Sequence, residues 1–282
     1  MNIFHILKEI EKVDENVFDR LDPRRAVFKH FGGFGKKLVA AAVPLAFGSM
    51  LNKAYGQSGT TPSVREVLEF ALKLENLEYY FYKRAADTNI FPTPAGKTAF
   101  GVIRDHEEDH VNFLRTAITG LGGAAPTSYT DANFDWTADG LLGNNTFTDY
   151  PTMLAVAQAF EDTGVRAYKG AAPALISNND VLQAALQIHS VEARHAAHLR
   201  RMRRDMPSGV ANLKPWITMK DRGGIPPEFQ GIYDGEEAVS QASVTITGTF
   251  GGVAIDANAA SEAFDEPLTV AQVNAIVAPF LA

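Results

Sequence analysis

One constellation occurs twice in this chain at almost constant spacing. Glu75 is followed seven residues later by Tyr82, and Glu161 by Tyr168, the second pair 86 residues after the first. Glu107 and His110 form a Glu-x-x-His, and Glu192 and His195 form another, 85 residues on. The sequence has no other Glu-x-x-His and no other Glu-x6-Tyr. Shared order and shared offset mark an internal repeat. All eight residues lie in segments of helical apolar periodicity, so a fold that buries those segments has to accommodate the ionisable groups as well.

The periodicity predicts four long helices. The first is expected to start at Thr61 with Pro62 at its first helical position, and Val64, Val67, Leu68, Ala71, Leu74, Leu77 and Phe81 form its apolar stripe. The second runs from Thr93 and Pro94 to about Thr119, where Gly120, Gly122 and Gly123 stop it. The third runs from about Pro151 to a break at Gly170–Pro173, and the fourth from about Asn179 to Asp205, closed by Pro207. Short loops join the helices within each pair, and roughly 30 residues join the two pairs. Short loops make antiparallel hairpins, and the long connection lets the second hairpin cross the bundle. The expected fold is all-α: a ferritin-like four-helix bundle with one long crossover over 58–206, preceded by an N-terminal segment (1–57) and followed by an irregular extension (207–282).

The spacing inside the repeat suits metal binding. Three residues advance a helix by about 300° and 4.5 Å, so a Glu and a His at i and i+3 share a face one turn apart. Two such helices, with one further carboxylate from each of the other two, present four carboxylates and two imidazoles. This is the ligand pattern of dinuclear iron or manganese sites in bundles of this kind. Four carboxylates also neutralise two divalent cations where unpaired buried charge is costly. Seven residues fall just short of two turns, so each tyrosine lies on its glutamate's side of the helix about 10.5 Å along, able to support a ligand carboxylate on a neighbouring helix. The chain has no cysteine, which excludes thiolate and iron–sulfur sites and leaves oxygen and imidazole nitrogen as donors.

The segments "LKLENLEYYFYKRA", "EEDHVNFL", "AFEDTGVRAYKGA" and "VEARHAAHLR" resemble the bacterial ferritin-like domain family that includes desiccation-related proteins, and more distantly rubrerythrins and ferritins. The resemblance covers roughly residues 60–206, and the late "SEAFDEPLT" also looks like the end of such proteins. It implies a dinuclear metal centre ligated by Glu75, Glu107, His110, Glu161, Glu192 and His195, with Tyr82 and Tyr168 nearby as supporting residues. Two iron ions are the expected metals, with manganese the alternative, and dioxygen or hydrogen peroxide the expected substrate in ferroxidase or peroxide-consuming chemistry. The competing readings are a stress-protective or structural protein without turnover, with or without metal, and a manganese-catalase-like enzyme.

Other residues near the motifs have plainer readings. Glu78 competes with Glu75 as a ligand, being one turn away, and its counterpart in the repeat is Gly164, which either packs helices closely or leaves room for a small molecule. His106, Asp109, His189 and His198 are expected on flanking faces or in supporting bonds, and Glu108 in solvent. A metal-free polar network that sets helix register is the alternative for the whole cluster.

The ends of the chain carry weaker signals. Residues 1–57 combine an amphipathic helix (Ile3, Leu7, Ile10, Val13, Val17, Leu21), the pair Arg24–Arg25 and an apolar run at 38–51. Their order resembles a twin-arginine export signal with cleavage near Gly56, which would place the protein in the periplasm; a retained arm on a cytoplasmic protein is the alternative. The apolar run is too short for a stable membrane span. A net charge of -7 argues against a nucleic-acid partner, and the basic run at 200–205 reads as cations offsetting a helix dipole. After Pro207, "SVTITGTFGGVAI" predicts a strand or hairpin and "LTVAQVNAIVAPFL" a terminal helix, expected to cover the bundle or form a contact in a homodimer or larger homo-oligomer.

Overall fold

The computed structural model of the chain describes residues 62–241, 243–250 and 252–282. The amphipathic lead, the arginine pair and the apolar run lie outside the described residues, and so does Thr61. Four long helices follow: α1 (Val64–Ala86), α2 (Pro94–Gly120), α3 (Tyr150–Ala171) and α4 (Asn179–Asp205).

Side-chain caps set where they begin. The first helix starts later than expected, because Ser63 and Glu66 form a reciprocal capping box that satisfies two N-terminal donors, and Pro62 precedes the cap. Thr93 caps α2, Asp149 caps α3 and Asn178 caps α4, each accepting a backbone N–H of the first turn. The turns at 87–93 and 172–178 make hairpins of α1 with α2 and of α3 with α4, and residues 121–149 form the crossover. Among the described residues no helix is long and apolar enough to cross a membrane.

The bundle core is two apolar layers. One holds Leu77, Phe81, Phe100, Ile103, Met153, Phe160 and Leu199, and the other Leu68, Leu72, Leu114, Ile118, Val181 and Ile188. Each helix places its motif glutamate between the two layers, with the histidines of α2 and α4 beside them. Burial of these side chains contributes about 1.5–3 kcal/mol each before conformational entropy is set against it.

The extension lies against α3. It contains a 3-10 turn at Pro227–Ile232, the antiparallel pair β1 (Ser240–Gln241) and β2 (Val244–Thr245), the hairpin β3 (Gly248–Phe250) and β4 (Val253–Ile255), and the short helices α5 (Ala257–Ser261) and α6 (Val270–Val277). Its last residues pair with the crossover: the Asp135 N–H donates to Phe280 O at 2.9 Å and the Ala282 N–H to Asn133 O at 3.0 Å. Arg166, buried on the outer side of α3, donates from Nε to Glu266 O (2.8 Å), from Nη1 to Ile232 O and from Nη2 to Asp234 O (2.9 Å), and also pairs with Glu236. Gly170 admits the chain at its closest approach, since a Cβ there would stand 2.0 Å from Leu268 O.

The basic run departs from its expected role. Arg200 and Arg203 are buried, and Arg200 holds Asp162 on α3 by a two-pronged ion pair of 3.0 and 2.6 Å. Tyr233 of the extension donates to the same Asp162 at 2.9 Å, and Trp216 O accepts from Arg200. These cations fasten three segments together, because the extension covers the face on which they would otherwise meet water.

Arg166→Met should strip the extension of this clamp and leave Glu236 and three carbonyls buried without their cation. Denaturant unfolding is expected to show a loss of about 3–5 kcal/mol, and hydrogen exchange should quicken first in 226–268; unchanged exchange there would refute the clamp.

Candidate metal centre

The four glutamates and two histidines of the repeat meet between the two apolar layers, and Tyr82 and Tyr168 reach them from those layers. Glu75, Glu107, Glu161 and Glu192 are fully buried, and His110 and His195 nearly so. Ligand atoms of Glu75, Glu107, His110 and Glu192 all lie within 4.8 Å of one another, and so do those of Glu107, Glu161, Glu192 and His195. The two sets share Glu107 and Glu192. Each set thus has a histidine and a glutamate of its own, with two glutamates in common.

Hydrogen bonds across the bundle tie the sets together. Tyr82 on α1 donates to Glu161 Oε1 on α3 at 2.5 Å, and Tyr168 on α3 donates to Glu75 Oε1 on α1. Positions that rise along α1 fall along α3, so these two helices run antiparallel and the repeats are related by an approximate two-fold axis. The same holds for α2 and α4, where His195 Nδ1 lies 3.0 Å from Glu107 and His110 Nδ1 lies 3.3 Å from Glu192. Burial first, and then the carboxylates beside them, push both tyrosine hydroxyls well above their usual range, so they remain donors.

The single proton on each imidazole Nδ1 cannot serve all the carboxylates that face it. His110 Nδ1 faces Glu107 Oε2 at 2.8 Å, Glu75 Oε2 at 3.1 Å and Glu192 Oε1 at 3.3 Å. His195 Nδ1 faces Glu107 Oε1 at 3.0 Å and Glu161 Oε2 at 3.1 Å. One N–H serves one acceptor well, so several short ion-pair distances are not hydrogen bonds, and Glu107 Oε1, Glu192 Oε1 and Glu192 Oε2 are buried with no hydrogen-bond partner among the described residues. Oxygens and a nitrogen that converge without hydrogens between them are what a cation requires, and the donor set suits iron or manganese. The cluster can hold metal ions.

The electrostatics reflect the crowding. Burial pushes Glu107 up to about 7 despite bonds from both histidines, and burial with neighbouring carboxylates holds Glu192 well above the usual range. Burial works against charge on the imidazoles, yet the carboxylates overcome it, raising His195 to about 11 and His110 further. Glu75 is also penalised by burial, but His110 beside it leaves its carboxyl below the usual range.

Glu78 belongs to the same layer. It is buried, and a Cβ on Gly164 would stand 3.3 Å from its Oε1 and 3.0 Å from Glu192 Oε2. Gly164 therefore makes room for two carboxylate ends on the opposite side of the axis. Burial, then Glu192 and the other carboxylates, raise Glu78 well above its usual range.

His106 supplies a contact whose partner spacing could not identify. Its Nδ1 lies 2.9 Å from His195 Nε2, with 11° between the ring planes and 5.2 Å between centroids. Each imidazole nitrogen stands roughly 1.1 Å from its centroid, so these values describe rings joined end to end in one plane, the favourable direction for a hydrogen bond. With His195 Nδ1 turned to the cluster, Nε2 carries the hydrogen and donates to His106. His189 instead donates to Val165 O at 2.9 Å, while Glu108 and Asp109 are exposed. Neither His189 nor His198 joins the metal-capable groups. Gln158, Asp162 and Arg166 went unnoticed in the sequence; their signal was three polar residues at helical spacing on the outer side of an apolar helix.

Fold and site together define a class: a four-helix bundle with one crossover and a buried carboxylate–histidine cluster able to hold metal. The family profile for the ferritin-like domain matches residues 63–205. The chain belongs to the ferritin-like domain family. No curated protein and no solved structure matches it.

Gly164→Ala should separate fold from site. The metal-free protein is expected to gain up to about 1 kcal/mol of helix propensity, while metal affinity falls by about tenfold or more as Glu192 is displaced. Unchanged affinity in a metal titration would show that the glycine is there only for packing. His106→Ala should weaken metal binding by about 10-fold, with His106→Gln restoring part of it through its amide oxygen; equal binding by all three proteins would dismiss the role given to His106.

Proposed function

We propose that the centre binds two iron ions and uses them in redox chemistry with dioxygen or hydrogen peroxide. The observation that carries this is the pair of overlapping ligand sets with unpartnered oxygens on their shared glutamates. Glu75 and His110 would hold one ion, Glu161 and His195 the other, and Glu107 and Glu192 both. Bound there, two ferrous ions would supply two electrons, which with two protons reduce hydrogen peroxide to two waters.

The chain's own residues do the positioning. Tyr82 and Tyr168 hold one oxygen of Glu161 and Glu75, leaving the other oxygen of each to face the histidines. They are positioning residues, and their raised pKa keeps the proton on the hydroxyl. The apolar layers above and below exclude bulk water, which strengthens each of these interactions. Glu78, the alternative to Glu75, belongs to neither ligand set, and Glu75 is the glutamate of α1 that would hold the ion.

A metal-free register network draws support from the His–Glu ion pairs, and a manganese centre from the same donors. An anaerobic ferrous titration of metal-stripped protein distinguishes them. Two equivalents per chain are expected, with binding lost in Glu107→Ala and His195→Ala; no uptake of iron or manganese would leave the register network. Binding has to displace protons from His110, His195, Glu192 and Glu107, so affinity should rise with pH between about 6 and 8 and protons should be released on loading. Stopped-flow oxidation then decides between dioxygen and peroxide, and peroxide disproportionation by the manganese-loaded protein alone would indicate catalase-like chemistry.

A further inference from the structure

A cleft of about 440 Å³ opens between the start of α3, the end of α4, the crossover and the extension. It shares no residue with the metal centre, and the inference drawn from it is independent of how that centre is read. Leu142, Val156, Met206, Ile225, Phe229 and Phe280 give it an apolar wall, and among the described residues Arg203 is the only charged one that lines it.

Arg203 is only 5% exposed, and among the described residues no carboxylate reaches it within 4.0 Å. Its Nη1 donates to the neutral Gln158 side chain. Nε is buried with no acceptor, and Nη2 donates to no described residue. The carboxylates nearest in influence are engaged: Asp162 by Arg200, and Asp221 by the Gly223 N–H at 2.8 Å. Two buried guanidinium groups thus share one buried carboxylate. An uncompensated buried charge is among the costlier features a fold can carry, so the unpaired edge calls for an anion.

The molecule shows what that edge accepts. In Arg200 the Nε and Nη2 donors grip the two oxygens of Asp162 side by side. The same pair of donors is unpaired in Arg203, and its Nη2 lies 4.0 Å from where a Cβ on Gly224, a residue of the cleft wall, would stand. A glycine there leaves Nη2 approachable from the cleft, while Nε stays buried behind it.

We propose that this cleft binds a small amphipathic carboxylate, its carboxylate on Nη2 of Arg203 and its hydrocarbon body against the apolar wall. The volume accommodates a chain of roughly eight carbons, within the range usual for small-molecule sites. One charged group at the end of an apolar cleft selects for charge at one end of the ligand and makes few demands on the rest.

The test is calorimetry on the full chain with octanoate and octanol, which share a chain and differ in the head group. Octanoate is expected to bind once per chain, and octanol about tenfold more weakly. Arg203→Met keeps the apolar stem and should bring the two to equal affinity. Ala155→Phe, which fills the cleft from α3, should abolish both and checks the location should Arg203→Met fold poorly. Octanol binding as tightly as octanoate, octanoate affinity unchanged in Arg203→Met, or no saturable octanoate binding at millimolar concentration would each overturn the proposal.

Discussion

The structure is organised around excess negative charge buried at mid-bundle. Five carboxylates, from Glu75, Glu78, Glu107, Glu161 and Glu192, are sealed between two apolar layers, and among the described residues only histidines form ion pairs with these side chains. Two imidazoles cannot neutralise five carboxylates, so the remainder must hold protons or cations. The raised values of Glu78, Glu107 and Glu192 show the first solution, and the unpartnered oxygens of Glu107 and Glu192 show what it leaves unresolved. Protonation balances the charge of the metal-free bundle, so a metal entering the cluster would have to replace protons.

The approximate two-fold axis explains the economy of the site and also its asymmetry. Crossed bonds from Tyr82 to Glu161 and from Tyr168 to Glu75 let each repeat orient the ligand of the other, so a slip of one helix would break both. Two departures from the symmetry matter. Glu78 faces Gly164 across the axis, and His106, which supports His195, has Val191 as its counterpart in the repeat. The two ligand sets are consequently unlike: the one with His195 has an imidazole behind its histidine, and one side of the cluster carries an additional carboxylate.

What could be read from the sequence was local and periodic. A Glu and a His three apart on an apolar-striped helix share a face wherever that helix lies, so the four helices and the convergence of their motif residues were legible. The start of α1 was misplaced because Thr61–Pro62 and Ser63–Glu66 both look like helix starts, and the reciprocal bonds of the second decide in its favour. Arg200 and Arg203 were misread because an arginine in a last helical turn looks the same whether it faces water or a covering layer. Most of Arg166's acceptors are backbone carbonyls 66 to 100 residues away, and a carbonyl acceptor has no sequence signature. For the same reason the extension could be expected to cover the bundle without its anchors being nameable.

Those anchors bear on the centre through α3, the helix buried on both sides. Glu161 and Asp162 are adjacent, so their side chains point about 100° apart around the helix, one into the cluster and the other into the layer formed with the extension. Asp162 is held by Arg200 from α4, by Tyr233 from the extension and by Gln158 one turn back. Rotation of α3 that moved Glu161 away from His195 would break the contacts with Arg200 and Tyr233, while Gln158 turns with the helix. A 22-residue helix packed only by apolar contacts can tolerate small rotations; one gripped on its outer face by buried ion pairs cannot. The extension thus acts as the outer half of the mould that sets where Glu161 stands, and the buried arginines are the means by which a segment far along the chain helps fix the geometry of the cluster.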